Sequence, residues 1–364
     1  MKKFITLSFV AMVITVGSLK AQTTFQVSDL NSYINAYTAP FAKSVPVALS
    51  GGWAHTAKVH SSLGFDVTLG ASLVFIPSTE GVTKASAIDL PAGFSFTGLN
   101  ANQEVPTIRG ESGATPPQIN YDFGNGMPTL TFDAFSGIGL GLSAAPHLQL
   151  GFGLPKGTEL IGRFIPDVSN FANNILSETA DVSLEKTGLW GIGVKHDIKQ
   201  WIPVVSKVPF LQISGLIGYT RFYTGFSGGD LAITPEVLNI SNGSLANNTT
   251  MWENQNFSMK SSSFSGSLLV GASIPVFQPF IGLGFNSGKF ESGLYGTYPI
   301  VELDGSNNLA INNAEDDPLV VEQKFTNFNF QAGARLKLGP IVFHYALSMQ
   351  KYTMHTAGLA VTLR

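Results

Sequence analysis

The chain has 364 residues, with 39 Gly, 27 Phe, no Cys and only 12% charged side chains, where soluble domains carry about 25%. That composition excludes disulfide scaffolds and thiolate zinc sites, and the hydrophobicity excludes a disordered chain. Mean hydropathy is +0.20, yet past residue 20 no apolar run nears the ~18 residues of a spanning helix, so a helical membrane bundle is excluded too.

Lys2 and Lys3 precede an apolar stretch from Phe4 to Val16, then Gly17, Ser18 and a cut expected after Ala21. This is the order of a cleaved secretory signal peptide, residues 1–21. Its removal leaves 18 basic against 24 acidic side chains, a net charge of −6. A mildly acidic exported chain is a poor partner for nucleic acid.

From Ser28 to Val45, Leu30, Ile34, Tyr37 and Phe41 recur at helical spacing. Ser28 can cap the first turn, and Pro46 marks the expected stop. Residues 22–61 are read as this short amphipathic helix and the stretch leading into the next unit, 62–364. There the period changes to two. Leu63, Phe65, Val67, Leu69, Ala71, Leu73 and Phe75 alternate with small or polar residues. Later Phe328, Phe330, Ala332, Ala334, Leu336 and Leu338 alternate with Asn329, Gln331, Gly333, Arg335 and Lys337. Successive strand side chains face opposite ways, so each strand has an oily and a polar face.

The count is about twelve strands (10–14), near 62–76, 87–97, 129–135, 147–154, 158–165, 187–197, 208–224, 263–275, 277–291, 325–338, 341–349 and 353–364. Tight links such as Gly339-Pro340 and Pro155-Lys156-Gly157 alternate with long polar ones, among them Asn239 to Thr250 and Asp304 to Asp317. That is the layout of an all-β, antiparallel transmembrane β-barrel. A soluble sandwich is the competing architecture, but its polar faces would carry Lys and Glu freely. Here they carry Gly, Ser, Asn, Gln and Thr, as a lumen would.

With the tight turns at one end, Asp66, Glu159, Lys195, Arg335 and Lys337 all point inward near that mouth. Gln212, Asn329, Gln331 and His344 share the inward faces. The charged cluster reads first as a salt-bridge network that braces the barrel; the sharper alternative is that it seats the 28–45 helix as a plug or gate.

Little else suggests chemistry. His344 and Ser348 share a face but lie ~13 Å apart along a strand, too far for a nucleophile–base pair. His55 and His60 flank Lys58 and read as surface residues. Glu315, Asp316 and Asp317 could hold calcium but read first as a solvated loop tip. No catalytic, metal or cofactor site emerges, so the chain is read as no enzyme and in need of no cofactor. Trp190, Tyr219, Phe222, Tyr223, Phe290, Tyr295 and Tyr298 lie near strand ends, where aromatic belts meet lipid headgroups. Trp201 is expected at the opposite interface.

Two stretches go beyond pattern. One runs from Tyr33 through Phe41 to Gly51-Gly52-Trp53, Thr56-Ala57-Lys58, His60 and Gly64-Phe65-Asp66. The other is Leu154-Pro155-Lys156-Gly157-Thr158-Glu159, followed by Trp190-Gly191-Ile192-Gly193-Val194-Lys195-His196-Asp197-Ile198-Lys199-Gln200-Trp201-Ile202-Pro203. These resemble an uncharacterised family of exported Gram-negative proteins regarded as outer-membrane barrels. In layout alone, the chain is similar to long-chain fatty-acid outer-membrane transporters, which also begin with a segment packed inside the barrel. It departs from many such barrels in ending Leu363-Arg364 rather than on an aromatic residue.

The expectation is therefore a barrel of the Gram-negative outer membrane, bathed in its lipid. It would be a plugged or gated channel for passive uptake of a small solute, hydrophobic solutes included. The alternative is a structural or surface-interaction barrel with no transport role.

Overall fold

The computed structural model describes residues 27–113, 115–122, 129–167, 169–170, 173, 183–228, 232–304, 306 and 308–363. The expected signal peptide lies outside them. Ten antiparallel strands close into a barrel: β1 (Phe65–Phe75), β2 (Leu142–Leu154), β3 (Thr158–Ile165), β4 (Gly188–Asp197), β5 (Leu211–Ser227), β6 (Asn256–Ala272), β7 (Phe277–Tyr295), β8 (Leu319–Leu338), β9 (Ile341–Met349) and β10 (Thr353–Leu363). Each pairs with its sequence neighbour, and β1 pairs with β10 over all eleven of its residues, which closes the ring. A two-residue strand, Ser183–Leu184, pairs on β5 outside the ring.

The count is ten, not twelve. Segments 87–97 and 129–135 do alternate, but β1 pairs directly with β2, so no place remains for them in the wall. Instead Phe94–Phe96, Gln118–Tyr121 and Leu130–Asp133 form a separate three-stranded sheet in the long link 76–141. Among the described residues no helix is long and apolar enough to cross a membrane.

Burial in this barrel is the inverse of a soluble sandwich. Along β1, Asp66, Thr68, Ser72 and Val74 are buried, while Phe65, Val67, Leu69 and Phe75 are exposed. Leu69 is 65% exposed, Leu283 64% and Phe328 90%. In a sandwich the oily faces would meet one another; here they form an apolar outer wall. Of these aromatic residues, only those whose strand parity points outward stand on the outer face. Trp190 and Tyr219 stand together on the wall, ring centroids 5.6 Å apart. Phe290 is buried in the lumen and Tyr298 in a loop core. Trp201 is 68% exposed in the link between β4 and β5, where its indole N–H donates to His196.

Both termini of the ring and the tight turns lie at one end, the short-turn end. Four links at the opposite, long-loop end are long, and the fifth is only the three residues 350–352. Three of the long links fold. Residues 76–141 pack Phe94, Phe96 and Phe135 onto the amino-terminal helix. A hairpin, Thr297–Leu303 with Leu309–Asp316, shares a core with the link 228–255, including Ile233, Leu238, Trp252, Tyr298 and Ile311. The acidic run closes this hairpin: Asp316 accepts from the Thr297 hydroxyl at 2.7 Å and Asp317 from the Gly296 amide at 2.8 Å. At the hairpin tip, Asp304 accepts from the amide of Asn308, the side chain of Asn242 and the amide of Ser306. These bonds, Asn308's first, hold its carboxyl below the usual range. The Asn242–Asp304 bond between the two links is thus present at neutral pH and lost as pH falls through that lowered value, while their shared apolar core remains.

Candidate functional site: a lumen threaded by its own chain

The amino-terminal helix α1 (Asn31–Ser50) stands inside the barrel. It begins at the long-loop end, beside the start of β8, and descends to mid-lumen. Residues 51–64 continue irregularly to the short-turn end, where β1 starts. The helix does not stop at Pro46 as expected: Pro40 and Pro46 both lie inside it. An interior proline costs ~3 kcal/mol, and the lumen offsets it. Val47, Ala48 and Leu49 are buried against Val74, Ala145, Leu189 and Met354, while the Ser44 and Ser50 hydroxyls cap the carbonyls of Phe41 and Val47.

Two asparagines fix the upper end of α1. β9 pairs only with Phe330–Leu338 of β8, so β8 rises beyond its neighbour with one edge open, and open edges need cover. Asn31 donates to Pro318 O and accepts from Val320 N, both at 3.1 Å. Asn35, one turn later, donates to Val320 O at 3.3 Å and accepts from Glu322 N at 3.2 Å. The i, i+4 helical spacing matches alternate residues of the strand, so the helix stands in for a missing strand. Replacing both residues with alanine should speed hydrogen exchange at the Val320 and Glu322 amides about fivefold, the worth of a ~1 kcal/mol bond. Amide exchange measured by NMR checks this.

Below α1, the chain is clamped by an aromatic ring in a glycine track. Trp53 is 3% exposed. A Cβ added at Gly191, Gly193 or Gly218 would lie 3.2, 2.7 or 2.5 Å from its ring, so only glycine lets the indole lie against β4 and β5. The Arg163 guanidinium covers the ring 3.8 Å from its centroid. Arg163 also donates to Gln149 Oε1 at 2.8 Å and Leu49 O at 3.4 Å. Gln149 lies 3.3 Å from His55 Nε2, and His55 stacks on His344 at 3.9 Å. The two resemblance stretches thus meet: Gly51-Gly52-Trp53 packs on Trp190-Gly191-Ile192-Gly193.

The charged cluster gathers at the short-turn end around a residue that was expected on the surface. His60 is 9% exposed, with Nδ1 3.0 Å from Glu159 and Nε2 3.3 Å from Asp66. Lys195 lies 2.9 Å from Glu159, and Arg335 lies 3.8 Å from Asp66. The His60 amide also donates to Glu159 at 3.0 Å. Asp66, Glu159, Lys195 and Arg335 therefore come together, but they hold the descending segment 51–64 and not the helix. Lys337 stays half-buried outside the ion pairs, and Gln212 is half-buried on the lumen face, in the rung of Gly271 and Phe280. Asn329, Gln331 and His344 are buried in the lumen. His55 is buried as well, contrary to the surface expectation, because the irregular segment that carries it runs inside the barrel.

The seam between plug and wall is polar. The Ser44 and Ser143 hydroxyls touch, and Ser265 donates to Ser50 O at 3.2 Å. Trp53 Nε1, Arg163 Nη2, His147 Nε2 and both ring nitrogens of His344 are buried with no hydrogen-bond partner among the described residues. A cavity of about 10 Å³ beside Gly51 and Trp53, bordered by Ser265, Asn286, Asn329 and Ser348, has room for about one water.

No curated protein matches the chain. Among solved structures it is similar to the translocator domain of the autotransporter NalP from Neisseria meningitidis, at 11% identity and TM-score 0.30, over 94% of this chain and 100% of that one. It is also similar to Ail, the attachment invasion locus protein of Yersinia pestis, at 8% identity and TM-score 0.25, over 82% and 95%. A third is the toluene transporter TbuX of Ralstonia pickettii, at 8% identity and TM-score 0.24, over 88% and 93%. The sequence pattern of one family spans residues 1–363, and the chain belongs to it: the family of unknown function DUF6588.

Proposed function

We propose that this protein is a channel of the Gram-negative outer membrane, closed by its own residues 31–64, that admits a small water-soluble solute when they shift. The membrane placement is supported by the apolar outer wall and by ring closure, the only sheet that leaves no unpaired edge in lipid. The long-loop end then faces outward. The reading rests on one observation: a plug threads the lumen from end to end along a polar seam. An eight-stranded barrel is filled by its own side chains. Here ten strands line their interior with Gly, Ser and Thr and leave a bore that takes a helix.

The wall chemistry also bears on the solute. Thr68, Ser143, Gln149, Ser263 and Thr356 line the lumen, which favours a hydrophilic cargo over the hydrophobic one expected from sequence. No nucleophile–base pair is proposed, and the barrel is read as a conduit. A surface-interaction barrel is the second reading, favoured by the folded outer loops with their own apolar core.

The Ser44–Ser143 contact provides the test, because the chain has no cysteine of its own. In the Ser44→Cys/Ser143→Cys variant, a disulfide would tie plug to wall. Oxidised protein in planar bilayers should stay closed, and reduction should restore wild-type openings. If neither wild type nor the reduced variant conducts, the channel reading fails and the second one takes its place.

A further inference from the structure

The barrel wall carries its outward charges in one place. The outward-facing Lys, Arg, Asp and Glu of the ten strands are Arg221, Lys260, Lys289, Glu291, Glu322 and Lys324, and all six are neighbours by register. One rung across β4–β8 reads Trp190, Arg221, Ser262, Lys289, Lys324. The next rung toward the long loops reads Gly188, Tyr223, Lys260, Glu291, Glu322. The rung below has Ile192, Tyr219, Phe264, Ser287 and Thr326, and the one below that includes Ile217, Phe285 and Phe328. Apolar wall thus gives way to aromatic rings and then to charge within three rungs.

Position and charge together point to a ligand. An outward Lys or Arg costs ~2–4 kcal/mol at the bilayer midplane and ~0–1 near the interface, so these rungs lie at headgroup level, beside the Trp190–Tyr219 pair. Lys289 lies 2.9 Å from both Glu291 and Glu322, and Lys324 lies 2.7 Å from Glu322. Four cations against two carboxylates leave two positive charges uncompensated. Among the described residues, Arg221 and Lys260 have no ion-pair partner, although Lys260 lies 5.6 Å over the Tyr295 ring. Glu185 stands further out, beside Gly225. Strand spacing of ~4.8 Å spreads the patch over about 14 Å of wall from β5 to β8.

We propose that this patch binds the phosphate groups of an anionic lipid in the outer leaflet, with Arg221 and Lys260 making the contacts and Lys289 and the glutamates holding the rungs in register. The proposal rests on the membrane placement above, though not on the channel.

Lipid A serves as the probe, added to the full-length barrel in neutral detergent and counted by native mass spectrometry. At ~1 kcal/mol per basic residue, Arg221→Gln/Lys260→Gln should lower retention about thirtyfold. Glu291→Gln/Glu322→Gln, which leaves the cations unopposed, should raise it. The heat-dependent shift of the folded band in SDS electrophoresis confirms folding of each variant. Unchanged retention in both variants, equal retention of phosphatidylcholine, or displacement by inorganic phosphate at millimolar concentration would each overturn the proposal; the last would make the patch a free-anion site. Failure of the wild type to insert into liposomes would sink the membrane placement instead.

Discussion

Glu159→Ala is expected to destabilise the closed barrel more than any other single change in the charged cluster. Glu159 and Lys195 are each 3% exposed and form an ion pair at 2.9 Å, and the same carboxylate receives the His60 amide. Removing it strands a buried ammonium and an amide donor. Breaking a buried pair from one side costs ~3–5 kcal/mol, whereas replacing both partners with apolar groups of similar volume is often neutral. The prediction is therefore a contrast. Glu159→Ala should markedly lower the temperature at which the folded band in SDS electrophoresis is lost, and Glu159→Leu/Lys195→Met should recover most of the loss. Equal melting of wild type and Glu159→Ala would mean that the network holds nothing in place.

The members of this network were legible in the sequence to different degrees, and the reason is periodicity. Asp66, Glu159, Lys195 and Arg335 lie in clean two-residue alternation at a known distance from tight turns, so both their face and their height could be read. The strands 158–165 and 341–349 were read to the residue for the same reason, being bounded by Gly and Pro. Alternation says that a segment is a strand and not which sheet it joins, and so 87–97 and 129–135 were placed in the wall when they belong to the outer cap.

His60 and Trp53 lie in residues 51–64, where no period exists. Their burial comes from threading through the barrel, which is a tertiary fact. Arg163 was within reach: it alternates inward with Glu159 and Ile161 against Leu160 and Phe164, and an inward arginine whose nearest inward neighbour on the strand is the apolar Ile161 was the available signal. Pro46 was misread because a rule for isolated helices was applied to one whose last turn is buried on every side.

The Trp53 clamp carries the second large effect, and unlike the ion pairs it bears directly on the proposed opening. Trp53→Ala removes the ring from the glycine track and the π face from Arg163; large-to-small changes of this kind cost ~3–5 kcal/mol. Because the residue holds plug to wall, the loss falls mainly on the closed state. At ~3 kcal/mol the ratio of open to closed would rise of the order of 100-fold, read as open probability in planar bilayers. Gly218→Val should act the same way from the wall side, since its Cβ would lie 2.5 Å from the indole. The two changes should not add: with the ring gone, the valine has nothing to displace and partly fills the void, so the double variant should open less often than Trp53→Ala alone. Additive effects would place Trp53 and Gly218 in separate roles and remove the clamp from the gate.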